Sequence, residues 1–326
     1  MKTTACTKAM HVQNTVSFNH EPVLLQEAIS SLALENGMTV VDATMGGGGH
    51  SVAMIEKILP AGKFIGIDQD TQAIEAATTN ISSKFSCHTN QFIFHNKNFR
   101  DIDDALDGTN VDAILADIGV SSHQIDTPER GFSYMVDAPL DMRMNDNSRK
   151  KAIHLVNELS EKQLSDLIFN YGEERYSRQI ARNIVSARPI PNSTLALAEI
   201  CVNSVPSSYF KSGGHPAKRT FQALRIAIND ELGALEDFIP KAIDALKPNG
   251  RLAIISFHSL EDRIVKQAFK RLESKCLCPP KSPQCICNHR PSIKVITKKP
   301  IVPSIDEVKR NPRSSSAKLR IAQKLA

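Results

Sequence analysis

The stretch Thr39-Val-Val-Asp-Ala-Thr-Met-Gly-Gly-Gly-Gly-His50 decides the fold. A short apolar run ends at Asp42 and passes within three residues into four glycines, and the helical pattern Ser51–Leu59 follows. A strand that runs into such a loop brings its backbone against a ligand, because side chains would block the approach. Downstream, Lys63–Asp68 reads as a second strand, Thr71–Thr79 as a helix, Gln91–Phe94 as a third strand and Val111–Asp117 as a fourth. Upstream, His20–Leu34 reads as an amphipathic helix starting after Pro22. Apolar strands alternating with helices predict a parallel, doubly wound α/β sheet.

The alternation stops after the fourth strand. From Thr127 to Thr220 the patterns are helical, with Ser160-Glu-Lys-Gln163 as a capping box. It resumes with one long helix, Phe221–Leu246, a turn at Lys247–Gly250 and a fifth strand, Arg251–Ser256. Ser316–Ala322 alternates like a final strand. The expected organisation is a discontinuous α/β domain, residues 1–126 and 221–326, interrupted by a helical insert at 127–220. A length of 326 residues suits about two domains.

The net charge of +5 is unevenly placed. Arg290–Ala326 carries ten Lys/Arg against Asp306 and Glu307, which leaves residues 1–289 at −3. A basic segment on a near-neutral body is a possible footprint for a polyanion, although charge alone favours a solvated terminus. Lys211, Lys218, Arg219 and Arg225 form one further basic group, and Arg175, Arg178, Arg182 and Arg188 are spaced to form one helix face. No apolar run is long enough to span a membrane, and Met1–Val16 lacks the apolar core of a secretory signal. Seven cysteines, four of them within 276–287, make a poor disulfide framework, so a reducing, cytoplasmic setting is expected.

The glycine loop and Asp68, at the end of the second strand, predict an adenosine-containing cofactor whose ribose hydroxyls donate to the carboxylate. Ser51 replaces the third glycine of a dinucleotide fingerprint, and no P-loop Lys follows. Asp42 would repel a pyrophosphate but suit the cationic end of S-adenosylmethionine; its alternative role is a buried hydrogen bond. Asp70 reads as a helix N-cap, and Phe99 either stacks on adenine or packs in the core.

Nine segments follow one another in a recognisable series. They are His20–Leu25, Asp42–His50, Asp117–Gln124, Glu129–Tyr134, Pro139–Met144, Tyr171–Arg175, Lys218–Gln222, Ile254–Arg263 and Asn311–Arg320. Together they resemble the MraW family of small-subunit ribosomal RNA methyltransferases over nearly the whole chain. The resemblance implies a class I, Rossmann-like methyltransferase core with an inserted helical domain. It also implies methyl transfer from S-adenosylmethionine to N4 of a cytidine in the decoding region of 16S rRNA. By the same resemblance Gly48, Gly49 and His50 line the methionine side, Asp68 holds the ribose and Phe99 flanks the adenine, while Asp117 and Gln124 complete the pocket. The small ribosomal subunit is the expected partner, and the oligomeric state is open.

The lone pair of N4 is delocalised into the cytosine ring, so the site must supply acceptors for the amine hydrogens and align the reacting atoms. Asp117 stands where that acceptor belongs. Many amino-methyltransferases carry Asp/Asn-Pro-Pro-Tyr/Phe at this point. This chain has Asp117-Ile-Gly-Val120, so base stacking must come from elsewhere, with Phe132 and Tyr134 as candidates alongside a core role for Phe132. His258 either assists with the proton or base, or is a structural hydrogen-bonder, and Arg219 is a candidate substrate contact. No Pro-Cys dipeptide exists for C5 attack on cytosine. Cys276, Cys278, Cys285 and Cys287 form either a structural zinc site, tighter than the usual two-residue spacing, or a loop of reduced thiols. The rival readings are a nucleotide-dependent oxidoreductase and a non-catalytic RNA-binding assembly factor.

Overall fold

Short apolar runs become strands because both faces of the sheet are covered, which is the setting of parallel strands. The computed structural model describes residues 22–212, 214–279 and 285–326, without the side chains of 210–212. The readings placed on Met1–Val16, His20, Glu21, Gly213 and the Lys211 side chain lie outside the described residues. The strands are β1 (Thr39–Asp42), β2 (Lys63–Asp68), β3 (Phe92–Asn96), β4 (Val111–Asp117), β5 (Leu246–Ser256), β6 (Ile293–Val295) and β7 (Lys318–Lys324). They form a sheet in the order β3-β2-β1-β4-β5-β7-β6. The first five pair in parallel, and β7 runs antiparallel to both β5 and β6.

The helices are α1 (Leu25–Leu32), α2 (Gly49–Ile58), α3 (Thr71–Lys84), α4 (Ile102–Leu106), α5 (Ser122–Asp126), α6 (Ala152–Glu158), α7 (Glu161–Gly172), α8 (Ser177–Ser186), α9 (Thr194–Asn203), α10 (Ala217–Asn229), α11 (Glu231–Ala245), α12 (Ser259–Glu273) and α13 (Ile305–Arg310). Strand side chains alternate between two helix layers, as the pleat requires. Val40, Leu115 and Ile255 pack against α1, α2 and α3. Val41, Ile114 and Ile254 pack against α4, α11 and α12. A separate core, including Leu140, Val156, Ile168, Ile184, Leu197 and Leu224, holds the helical insert and draws in α10. Among the described residues no helix is long and apolar enough to cross a membrane.

Three sequence expectations need correction. The single helix expected over 221–246 is two, because Asp230 takes a left-handed conformation at φ 48° between α10 and α11. The basic helix face is not one surface. Arg188 donates to the Val156 and Leu159 carbonyls near the end of α6, and the Arg175 guanidinium lies over the rings of Tyr176 and Tyr209. Four of the ten C-terminal cations are spent on the fold: Arg313 grips Asp126 with two nitrogens, Lys318 and Arg320 share Asp262, and Lys324 donates to the Asp244 and Leu246 carbonyls.

Candidate active site

In the order 3-2-1-4-5 the chain reverses direction across the sheet between β1 and β4, and ligands bind beyond the carboxyl ends of strands at such a switch point. Two bonds tie the strand ends there: Ala43 N donates to Leu115 O at 2.8 Å and Asp117 N to Thr44 Oγ1 at 2.6 Å. Above them opens a cavity of about 460 Å³, whose walls include Gly46, Asp68, Phe99, Asp117, Gln222 and His258.

The glycine loop is held by the carboxylate that follows β2. Gly46 N donates to Asp68 Oδ2 at 2.8 Å and Asp70 N to Asp68 Oδ1 at 2.9 Å. Each oxygen keeps a second lone pair for a ligand hydroxyl. Burial pushes Asp68 up from 3.8 to about 6; these two bonds pull against the rise, and the charges of Asp70 and Asp42 add to it. Gly48 sits at φ 80° as the residue before α2, a left-handed position that suits glycine. A Cβ on Gly49 would stand 2.3 Å from Pro22 Cγ, so the loop must be bare there too.

Asp42 does not line the cavity. Its carboxylate accepts from Ser51 Oγ at 2.6 Å and from Thr44 N at 3.1 Å, the buried-hydrogen-bond alternative. Burial raises it to about 6 as well. Asp70 caps α3 through Gln72 N, as its position predicted. Its other oxygen receives Gln124 Nε2 at 2.7 Å and lies 2.8 Å from an Arg130 guanidinium nitrogen. Gln124 also closes the Ser121 capping box of α5, so this buried amide ties α5 to the loop that follows Asp68.

Asp117 and His50 meet on the cavity floor. His50 Nε2 lies 3.0 Å from Val23 O, which can only accept, so Nε2 carries a hydrogen. Its Nδ1 stands 3.5 Å from Asp117 Oδ2. Asp117 Oδ1 is buried and makes no hydrogen bond among the described residues. Burial drives this carboxyl well above its ordinary value, and the charges of Asp42 and Glu261 push the same way. His258 caps α12: its Nδ1 accepts from Glu261 N at 3.4 Å, which leaves the proton on Nε2. That Nε2 is buried 3.0 Å from Glu261 Oε1 but forms no hydrogen bond. Phe99 lines the cavity while its ring meets Phe238 edge-on at 5.2 Å.

A second cavity, of about 740 Å³, lies between the insert and the ends of β5 and β7. Arg175, Lys218, Arg219 and Lys318 bring positive charge to it, and Lys218, Gln222, Phe257, His258 and Ser316 line both cavities. Arg219 also donates to Glu173 O at 2.6 Å. Phe132 and Tyr134 pack against the insert core. Tyr134 stacks on His215, a wall of the basic cavity, at 4.7 Å.

Sequence reading missed one feature of the wall. Arg225, grouped above with the phosphate-binding cations, makes a two-pronged, largely buried pair with Glu231, both bonds 2.8 Å. Glu231, His258 and Glu261 bring donor atoms within 4.8 Å of one another. However, the Arg225 fork takes both oxygens of Glu231, and the Phe257 and His258 amides take Glu261 Oε2. The trio is thus an ion-pair network and not an open metal site. The four cysteines lie together beyond the far end of α12, outside both cavities.

Residues 17–325 match the MraW methylase family. Ribosomal RNA small subunit methyltransferase H of Heliobacterium mobile is 48% identical over 317 residues, covering 95% of this chain and 100% of the relative. The protein of the same name from Heliobacterium modesticaldum is 49% identical, covering 94% of this chain and 99% of that one. The Clostridium botulinum (strain Kyoto) protein of that name is 50% identical, covering 95% and 100%.

Proposed function

The chain belongs to the MraW methylase family, and we propose that it methylates N4 of a cytidine in the decoding region of 16S rRNA, with S-adenosylmethionine as donor. The observation that carries the reading is Asp117, which lines a cavity sharing its wall with a cationic one and whose buried Oδ1 is an acceptor without a hydrogen bond among the described residues. S-adenosylmethionine, when bound, supplies an electrophilic methyl on a sulfonium.

The residues present fit that cofactor. Asp68 has lone pairs left for the ribose hydroxyls, Phe99 offers an apolar ring to the adenine, and Gly49 and His50 bound the methionine side, while Gly48 is buried behind them against Ala77 and does not line the cavity. Gln124 acts through Asp70, holding the loop after β2. Asp117 Oδ1 accepts an N4 hydrogen, which orients the amine, and takes the proton once transfer has made the nitrogen cationic. Burial raises its affinity for protons, which favours that transfer. His258 Nε2–H is a donor for the acceptor edge of the cytosine. Arg175, Lys218, Arg219 and Lys318 neutralise phosphates of the entering RNA, with the insert at 127–220 as the recognition element. Tyr134, stacked on His215, is better placed than Phe132 to reach the base. The small subunit is the proposed partner and the cytoplasm the proposed compartment, and a structural zinc held by the four clustered cysteines is a second proposed group, remote from the cleft.

Incubation with labelled methyl donor and small subunits from cells lacking this activity is expected to produce N4-methylcytidine, read by mass spectrometry of the RNA digest. Naked 16S rRNA serves as the parallel arm. Absence of the modified nucleoside from both arms would exclude the reading.

The carboxyls around the cavity also set a pH dependence. Asp42 and Asp68 both protonate near pH 6, so at pH 5 they are mostly neutral and by pH 7 ionised. A sulfonium favours the ionised forms. Affinity for S-adenosylmethionine is therefore expected to rise from pH 5 to pH 7, by up to about tenfold per pH step of one for each carboxyl that senses the ligand. Binding near pH 6 should release protons, measurable by calorimetry in buffers of different ionisation heat. S-adenosylhomocysteine, lacking the sulfonium charge, should show a shallower slope. Equal slopes for the two ligands would remove this electrostatic role.

A further inference from the structure

Beyond α12 the segments 276–278 and 285–287 bring four thiols together. Cys276 Sγ lies 3.5 Å from Cys285 Sγ and 3.7 Å from Cys287 Sγ. Cys285 Sγ stands 3.6 Å from Cys287 Sγ and 4.0 Å from Cys278 Sγ. All four fall within 4.8 Å of one another. None of these separations is a bond, since a disulfide requires about 2.05 Å. They match instead the edge of a tetrahedron: four sulfurs at about 2.3 Å from a zinc ion stand about 3.8 Å apart.

The backbone is arranged for negative sulfur. Leu277 N donates to Cys287 Sγ at 3.3 Å, Cys278 N to Cys276 Sγ at 3.4 Å and Ile286 N to Cys278 Sγ at 3.4 Å. Amide donors favour thiolates, and several thiolates at these distances repel unless a cation lies between them. The site faces solvent, with Ile286 82% exposed, so an ion reaches it freely. His289 is turned away: its Nε2 lies 3.0 Å from Arg271 O on the last turn of α12.

We propose that Cys276, Cys278, Cys285 and Cys287 bind one zinc ion in a tetrahedral, all-sulfur centre that fastens the connection between α12 and β6. Binding forms four Zn–S bonds, releases the thiol protons to solvent and leaves a centre of charge −2, which Lys270, Arg271, Lys275 and Arg290 on the flanking chain offset. With every position filled by sulfur, the ion has no place for substrate, so its role is structural. Distance agrees. The cysteine segment follows Glu273, whereas the cleft lies at the His258 end of the same helix, about 22 Å away at 1.5 Å per residue. The metal shapes the segment where the chain returns to the sheet edge. There Ser292 N donates to Leu272 O at 2.9 Å and Val295 N to Glu273 Oε1 at 2.8 Å.

The test uses the full chain purified under reducing conditions. Elemental analysis and native mass spectrometry should find one zinc per chain. Replacement by cobalt should give intense thiolate-to-metal absorption in the near ultraviolet with tetrahedral visible bands. A Cys285→Ser, Cys287→Ser double variant should lose the metal, and Cys87→Ser, elsewhere on the surface, should keep it. Chelation should lower the melting temperature while S-adenosylmethionine affinity stays within about twofold. Failure to take up zinc or cobalt under reducing conditions would overturn the proposal. So would recovery of these four cysteines from the native chain as disulfides. The wild-type cobalt spectrum decides the matter even where the double variant does not fold.

Discussion

Replacing Asp117 with Ala is expected to lower the single-turnover rate of methyl transfer about a thousandfold, within the range for loss of an acid–base group. The expectation rests on one atom: Asp117 Oδ1 is buried with no hydrogen bond among the described residues, in a residue that lines the proposed cofactor cavity, while Oδ2 faces His50 Nδ1 at 3.5 Å. An acceptor left unmatched in the protein costs stability and is tolerated where a ligand completes it. The variant should keep S-adenosylmethionine affinity within about tenfold, because the loop anchor and ribose acceptor belong to Asp68. The main-chain bond from residue 117 to Thr44 Oγ1 survives as well. Asp117→Asn retains an acceptor oxygen but cannot hold a proton, so it should fall between wild type and Ala. The check is rapid-quench transfer with saturating cofactor and RNA. An Ala variant within threefold of wild type would remove Asp117 from the chemistry and turn attention to His50.

The fold was legible where one kind of signal dominated. β2 and β4 fall on Lys63–Asp68 and Val111–Asp117, as read, because an apolar run bounded by turn residues has one sensible fate in a doubly wound sheet. The Ser160–Gln163 box opens α7 because its two reciprocal bonds are local. β6 escaped notice, since three residues, Ile293–Val295, become a strand only through pairing with β7. The break at Asp230 had no glycine or proline to announce it, and it hid the Arg225–Glu231 pair. In a continuous helix, residues six apart point about 240° away from one another; only the kink turns them face to face. The site divides in the same way. Asp68 and the glycines were readable because strand-loop-helix geometry places them. The rest of the wall depends on long-range contacts, such as Gln124 to Asp70 and Arg313 to Asp126. The excess charge of the C-terminal segment looked available for RNA, yet Lys318, Arg320, Arg313 and Lys324 spend their donors on the protein itself. Of these only Lys318 also lines the basic cavity.

The second large effect is on binding. Asp68→Ala should weaken S-adenosylmethionine affinity about a hundredfold or more. The ribose loses a charged acceptor, at about 1.5–3 kcal/mol per bond, and Gly46 N loses the partner that sets the loop. Stability should not follow affinity. Burial raises Asp68 from 3.8 to about 6, so in the empty protein the ionised carboxylate opposes folding at neutral pH. A group whose folded value is raised stabilises fully only below its unfolded value, and that contribution is lost as pH climbs through about 6. A rise of this size, which is already net of the two backbone bonds that pull against it, corresponds to about 3 kcal/mol. The ligand-free variant should therefore melt within a few degrees of wild type at pH 7.5, at or above it. With saturating cofactor the wild type alone should gain stability, by RT ln(1 + [L]/Kd). Calorimetric titration and paired melting curves measure both halves. Affinity unchanged within threefold would rule out the ribose role. A large fall in the ligand-free melting temperature would instead mean that Asp68 chiefly holds the loop and meets the cofactor second.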